Sequence, residues 1–308
     1  MSVYTPVDAE ALADWLQPLA CGVLRQHVGI AAGMQNSNYF VDTSQGRYVL
    51  TLFEHLEPPA LRFYLDLQAE LAGAGLPCPR PLADAAGQRW RLLCGKPAAL
   101  LSCLPGRSVS EPSVAQCQQL GALLARLHQL AADWPQAPAN PCGAGWCMQT
   151  AQSLLSRLQP KSAALLVDEL AWQATQPRDD LPGGVIHGDL FRDNVLWDEC
   201  GQLSGVLDFY FAGVDAWLFD LAVVANDWCP TPASLAALLA AYRQQRALTP
   251  AEHAAWPAMR RAAALRFWLL RLDVALCPRP GDVVTVKAPA HFEQLLQRFR
   301  LAPEPLPR

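Results

Sequence analysis

The 308-residue sequence predicts an α+β fold in two lobes, a small N-terminal lobe built on an antiparallel sheet and a larger, mostly helical C-terminal lobe. Three observations predict it. Up to about residue 103, short β-branched and aromatic runs alternate with Gly-containing turns. From about residue 110, apolar residues recur at helical spacing almost to the end. Inside that second part, Val185-Ile186 and Val195-Leu196-Trp197 bracket a loop of His, Asp and Asn. The turn Ser102-Cys103-Leu104-Pro105-Gly106 separates the two regimes, giving lobes 1–103 and 104–308.

The elements follow from local pattern. Val7 to Ala20 carries Leu12, Trp15, Leu16 and Leu19 on one helical face. Val23-Leu24, Tyr39–Val41 and Tyr48–Phe53 read as strands of a meander, split by turns at Gly29–Gly33 and Gln45-Gly46. Pro58-Pro59 open a helix that ends at Ala74, beside Gly73 and Gly75. Arg89–Leu93 and Ala98–Leu104 are two further strands. Ser110-Glu111-Pro112 is the expected cap of a helix through Gln129. Helices are then expected at Trp146–Leu158 and Ser162–Ala174, and after the polar loop a strand at Leu203–Asp208. Helices at Ala216–Asp227, Pro232–Arg246, Pro250–Ala275 and Ala288–Phe299 complete the chain, with a loop at Gly281–Lys287.

Composition excludes several function classes. The chain is 52% hydrophobic and 17% charged, which is globular rather than disordered. Net charge is −4 with no basic run, which argues against a nucleic-acid partner. No apolar stretch is long enough to span a bilayer, and the first twenty residues lack a basic n-region and an apolar h-region. No membrane partner is therefore expected, and a cytoplasmic location is the default. The ten cysteines form no CxxC pair, so they read as reduced thiols filling core space rather than as a thiolate metal site.

The polar loop carries the chemistry. His187-Gly188-Asp189-Leu190-Phe191-Arg192-Asp193-Asn194 matches the kinase pattern H-R-D-L-x-x-x-N with Gly for Arg, and Asp208-Phe209-Tyr210 matches D-F-G with Tyr for Gly. Each match follows a predicted strand. Phosphoryl transfer needs a carboxylate at the acceptor hydroxyl and oxygen ligands for magnesium. Asp189 is the candidate base, Asn194 and Asp208 are the candidate Mg²⁺ ligands, and ATP is the implied phosphoryl donor. His187 reads as a hydrogen-bonded brace of the loop. A carboxylate-rich loop also suits a metal hydrolase, although the single Asn and the spacing favour the kinase reading.

On the phosphate side, Gly29–Asn38 offers Gly33, Asn36 and Ser37 in a loop between strands, a pattern that also fits an ordinary hairpin. Glu70, near a helix C-terminus, is either a solvated charge or part of a phosphate-side network.

Together His187-Gly-Asp189-x4-Asn194, Asp208 and Asp220-Leu-Ala resemble the aminoglycoside-phosphotransferase-like family, relatives of protein kinases that phosphorylate small-molecule hydroxyls. The resemblance implies a bilobal protein-kinase-like fold. It gives Asp220 the role of bracing the catalytic loop, and it puts Ser102 and Leu104 at the hinge whose backbone pairs with adenine. Gly33–Val41, Tyr48–Glu54 and Asp208–Cys229 look like the branch of that family that acts on L-homoserine.

One position departs from the protein-kinase pattern. Thr51 stands where the strand lysine is expected, and the chain's lysines are Lys96, Lys161 and Lys287. The phosphates then fall to loop backbone, Thr51, metal or Lys96. An active enzyme with rearranged contacts and an inert nucleotide binder both remain open, and the presence of Asp189, Asn194 and Asp208 favours activity. From Phe209 onward there are 11 basic against 8 acidic residues. An amino-acid acceptor needs an Arg for its carboxylate and a carboxylate for its ammonium. Arg266, Arg271, Asp227 and Trp228 are the candidates for that small-molecule site.

Overall fold

The structure is a computed structural model that describes residues 4–30, 36–277 and 289–307. Among these the chain forms two compact units, one of residues up to Pro105 and one of residues from Gly106.

The first unit opens with α1 (Ala9–Leu16), capped by the Asp8 side chain. Strands β1 (Leu24–Gly29), β2 (Asn36–Thr43) and β3 (Arg47–Phe53) follow, then α2 (Pro58–Gly73), β4 (Arg91–Leu93) and β5 (Lys96–Ser102). The five strands form one antiparallel sheet in the order β1-β2-β3-β5-β4. The two-residue period of β2 decides what each side chain meets. Tyr39 and Val41 share one face with Leu50, Leu52, Ala98 and Leu100 and bury against Leu12, Trp15 and Leu16 of α1. Asn36, Asn38 and Phe40 alternate with them and stay partly or fully exposed.

The second unit is mostly helical: α3 (Val114–Leu130), α4 (Ala144–Leu154), α5 (Pro160–Gln173), then β6 (Gly183–Ile186), β7 (Val195–Trp197), β8 (Leu203–Val206), β9 (Gly213–Ala216), α6 (Trp217–Trp228), α7 (Pro232–Gln245), α8 (Pro250–Leu276) and α9 (Ala290–Leu301). Two small antiparallel ladders, β6 with β9 and β7 with β8, sit among the helices. Along α6 every residue from Leu218 to Ala225 is buried, including Asp220. Such all-round burial marks it as the central helix of the unit.

The expected elements are present, with shifts that have physical causes. The strand expected at Val23-Leu24 extends to Gly29 because its polar residues pair across to β2 as an edge strand, His27 opposite Val41. The cap of α3 is Ser113, not Ser110, because Ser113 and Gln116 exchange side-chain-to-backbone bonds in a capping box. The strand expected to reach Asp208 stops at Val206, and Asp208 takes a left-handed backbone, φ 62°. Gly33 and the loop Gly281–Lys287 lie outside the described residues.

Candidate active site

In the second unit the β-ladders hold the polar loop at both ends. Ile186 pairs with Gly213 just before His187, and Val195 pairs with Val206 just after Asn194. The Leu207 N–H donates to the Asn194 carbonyl at 2.8 Å, which sets Asp208 beside Asn194. Gly188 has φ +75°, and a Cβ there would lie 2.7 Å from the Phe211 carbonyl oxygen, so the turn admits only glycine.

Asp220, in the first turn of α6, organises the loop backbone. Its carboxylate accepts the N–H of His187 at 2.8 Å and of Gly188 at 3.0 Å, and it lies 3.2 Å from His128 Nε2. Burial alone would raise its pKa, but the hydrogen bonds from His128 and the His187 backbone win, and the carboxyl lies below its ordinary range. His187 is fully buried. Its Nδ1 accepts the Asp189 N–H at 3.2 Å, so its Nε2 carries the proton and donates to the Leu207 carbonyl at 2.9 Å. Burial holds this imidazole neutral by lowering its pKa, against the pull of Asp220 and Asp189. Trp228 is fully buried, its indole N–H donating to the Leu190 carbonyl at 3.0 Å. Asp227 accepts the Arg192 N–H at 2.8 Å and the Arg192 Nε–H at 3.2 Å. The two α6 residues expected at an acceptor thus grip the loop from below.

The Asp189 carboxylate is bounded by two groups. Asn194 Nδ2 donates to its carbonyl at 2.8 Å and to its Oδ2 at 3.1 Å, which leaves Asn194 Oδ1 as the oxygen to face a cation. Arg266 Nη1 lies 3.2 Å from Asp189 Oδ1. Arg266 is buried and stacks over Phe267 at 3.9 Å and Phe211 at 5.0 Å. It is placed to serve Asp189 first, where the sequence suggested an acceptor contact. Burial raises the pKa of Asp189, and Arg266 opposes that rise. Arg271 is nearly buried, with no hydrogen-bond partner for its Nε among the described residues. Burial lowers its pKa, against the nearby charges of Asp189, Asp193 and Asp227.

Asp208 is reached by solvent, yet the surrounding protein and then the Asp189 charge push its carboxyl up to about 7, the Tyr210 N–H partly offsetting this. Asp208 and the Asn194 side-chain oxygen are hard oxygen donors of the kind that fits a divalent cation such as Mg²⁺, next to the Asp189 charge.

In the first unit, the Thr51 hydroxyl donates to Asn38 Oδ1 at 2.8 Å, and Asn38 Nδ2 reaches the Asn36 carbonyl at 3.4 Å. Asn36 and Thr51 are thereby linked through Asn38. Ser37, on the opposite face of β2, is fully buried. Its Oγ accepts the N–H groups of Tyr4 and Thr5 at 2.8 and 3.0 Å and donates to Glu54 Oε1 at 2.7 Å. It braces the N-terminal segment and presents nothing to a ligand. Lys96 Nζ lies 3.4 Å from Glu54 Oε2, an ion pair with no counterpart in the expected strand-lysine geometry. Glu70 is exposed and lines a cleft of about 480 Å³ with Arg80 and Arg89. The Ser102 N–H donates to the Arg80 carbonyl at 2.9 Å, and Leu104 follows the end of β5. Asn38, Glu54, His128 and Arg192 escaped the sequence reading because each gains its role from a partner distant in sequence.

The phosphotransferase enzyme family model matches residues 27–262, and the chain belongs to that family. Among curated relatives, the homoserine kinase of Methylobacillus flagellatus is 44% identical, covering 99% of this chain and 97% of its own length. The homoserine kinase of Polaromonas naphthalenivorans is 43% identical, with 98% of each chain covered. The fold is shared with solved protein-kinase-like phosphotransferases. Spectinomycin phosphotransferase has a TM-score of 0.71 at 14% identity, covering 97% of this chain and 99% of its own. Choline kinase from Cryptosporidium parvum has a TM-score of 0.68 at 11% identity, covering 96% and 95%. Among the described residues no helix is long and apolar enough to cross a membrane.

Proposed function

We propose that this chain transfers the γ-phosphoryl group of ATP to the side-chain hydroxyl of L-homoserine, forming O-phospho-L-homoserine, an activity that serves threonine biosynthesis. The observation that carries the reaction type is the braced Asp189, held between Asn194 and Arg266 with Asp208 close enough to feel its charge. The choice of acceptor rests on near-full-length relatives that bear the name homoserine kinase.

Asp189 orients the acceptor hydroxyl and takes its proton as the new O–P bond forms and the bond from the γ-phosphorus to the β-phosphate oxygen breaks, releasing ADP. Asn194 and Asp208 are assigned to Mg²⁺, whose contribution when bound is to neutralise charge on the phosphate oxygens. His187 and Asp220 hold the loop and touch no reactant. Residues 1–103 are assigned to the nucleotide and 104–308 to catalysis and the acceptor. On the nucleotide side we assign Asn36 and Thr51 to the phosphates and backbone groups near Ser102 and Leu104 to adenine. Gly33 and Glu70 complete the candidates there. On the acceptor side Arg271, whose Nε has no hydrogen-bond partner among the described residues, is assigned to the substrate carboxylate.

The test is ATP consumption by purified protein with Mg²⁺ over a panel of acceptors: L-homoserine, L-threonine, choline, 3-aminopropanol and an aminoglycoside. Homoserine is expected to give the highest kcat/KM, with a phosphomonoester product visible by ³¹P NMR. Turnover with choline or an aminoglycoside but not homoserine overturns the acceptor assignment. ATP binding with no turnover for any hydroxyl compound overturns the reaction type.

A further inference from the structure

His128 stands in the last turn of α3, fully buried, and both ring nitrogens are engaged. Nε2 lies 3.2 Å from Asp220 Oδ2, and Nδ1 lies 2.8 Å from the Tyr242 hydroxyl. Burial keeps the ring neutral, so only one nitrogen bears a proton. The identity of that nitrogen follows from the next residue along the line. Arg246 Nε–H donates to the Tyr242 oxygen at 2.9 Å. A guanidinium has no acceptor, so the Tyr242 oxygen is the acceptor there. The phenol's own proton is then directed to His128 Nδ1. Burial raises the pKa of Tyr242, which keeps that proton on the phenol. With Nδ1 accepting, Nε2 must carry the imidazole proton and donate it to Asp220.

Arg246 is itself anchored. It pairs with Glu252, and its guanidinium lies over Trp217 at 5.0 Å. Glu252 is the third residue of α8 and returns a bond to the Thr249 N–H in a capping box. Trp217 stacks on His128 with ring centroids 5.8 Å apart. A polar line therefore runs from the first turn of α8 through α7 and α3 to Asp220, and from Asp220 to the loop that carries Asp189.

We infer that Tyr242 and Arg246 are positioning residues for phosphoryl transfer, acting by holding the His128 ring in the orientation that keeps its Nε2–H on Asp220, and through it the Asp220 brace of the catalytic loop. The inference rests on the kinase reading of that loop. Asp220 can only accept, so it keeps the proton on Nε2 in either case; without the Tyr242 hydroxyl, Nδ1 of a buried imidazole loses its donor, and the ring loses the bond that fixes its orientation towards Asp220. The Nε2–H bond to Asp220 would then lengthen, weakening one of the three donors that Asp220 has among the described residues. Neither residue touches a reactant, so the effect belongs in kcat and not in substrate affinity.

Two readouts test this on the full-length protein. Long-range ¹H–¹⁵N spectra of ¹⁵N-histidine-labelled protein are expected to show His128 as the neutral Nε2–H tautomer, and Tyr242→Phe is expected to keep that tautomer while moving the Nδ1 resonance downfield as it loses its hydrogen-bond donor. With the acceptor that supports turnover in the wild type, Tyr242→Phe is expected to lower kcat about tenfold, with KM for ATP and acceptor within about twofold. Arg246→Met should act in the same direction and Arg246→Lys should recover part of the loss. An Nδ1–H or doubly protonated His128 in the wild type overturns the inference, as does wild-type kcat in a folded Tyr242→Phe protein. If that variant fails to fold, the wild-type spectrum and the Arg246 pair still decide. Absence of turnover with every acceptor would sink the kinase reading instead, and the spectrum would still report the tautomer.

Discussion

Arg266 Nη1 lies 3.2 Å from Asp189 Oδ1, which places a nearly buried guanidinium against the carboxylate assigned to the acceptor hydroxyl. Burial makes Asp189 harder to ionise, and Arg266 works against that. Arg266→Met removes the opposing charge, so the Asp189 pKa should rise further. The ionised form would then be reached only at higher pH, and the acid limb of the kcat/KM profile should move upward. A pH–rate profile measured for both proteins checks this; an unmoved limb would show that Arg266 does not act on the base.

Asp189→Asn keeps the size of the side chain and removes its ability to accept a proton. It should lower kcat by ~10²–10⁴-fold, the usual contribution of a positioned base. ATP affinity, read by titration calorimetry, should change little, and the melting temperature should not fall.

Asp208 should trade stability for function. Its carboxyl is raised from 3.8 to about 7, so the ionised form is disfavoured in the folded chain. The unfolded chain gives up this proton first as pH rises. The penalty is absent below the unfolded value, grows between the two values, and is complete above the folded one. Asp208→Asn should therefore melt higher than wild type at about pH 8, with the difference fading towards about pH 4. Added Mg²⁺ should raise the melting temperature of the wild type and not of the variant, and the variant should be inactive.

Gly188 tests the backbone rather than the chemistry. Alanine there must accept φ +75° and a Cβ 2.7 Å from the Phe211 carbonyl oxygen. A loss of about 2 kcal/mol is expected in urea unfolding, together with reduced kcat, since the next residue is Asp189. A stability within a few tenths of wild type would contradict the tight turn.

Trp228→Phe separates a loop brace from an acceptor contact. It deletes the donor to the Leu190 carbonyl, a buried pair at 3.0 Å. Leaving that oxygen unpaired should cost about 1–3 kcal/mol. If Trp228 only braces the loop, KM for the acceptor should stay within about twofold while stability falls. A large rise in KM at unchanged stability would instead mark it as an acceptor contact.

Much of the architecture was legible in the chain because it is written at short range. Leu12, Trp15, Leu16 and Leu19 announce the helix that α1 largely becomes, and Pro58-Pro59 start α2 where the sequence placed it. Errors gathered where long-range bonds overrode local pattern. The end of the strand before Asp208 depends on the hairpin with β7, and β1 exceeds its apolar run because β2 supplies its partners.

The sequence by itself determined the helical and strand periods, the spacing of Asp189, Asn194 and Asp208, and the need for glycine-rich turns, because each is set by residues a few positions apart. Only the tertiary structure decided which groups meet. It turned Ser37 into the α1 side of the sheet while Asn36 and Asn38 face away, a difference of one residue in the pleat. It brought Arg266 to Asp189 across 77 residues and His128 to Asp220 across 92. Charge and hydrogen-bonding capacity are properties of a residue, but a partner at 3.2 Å is a property of the packed chain, and that packing decides whether an arginine serves a substrate or the base beside it.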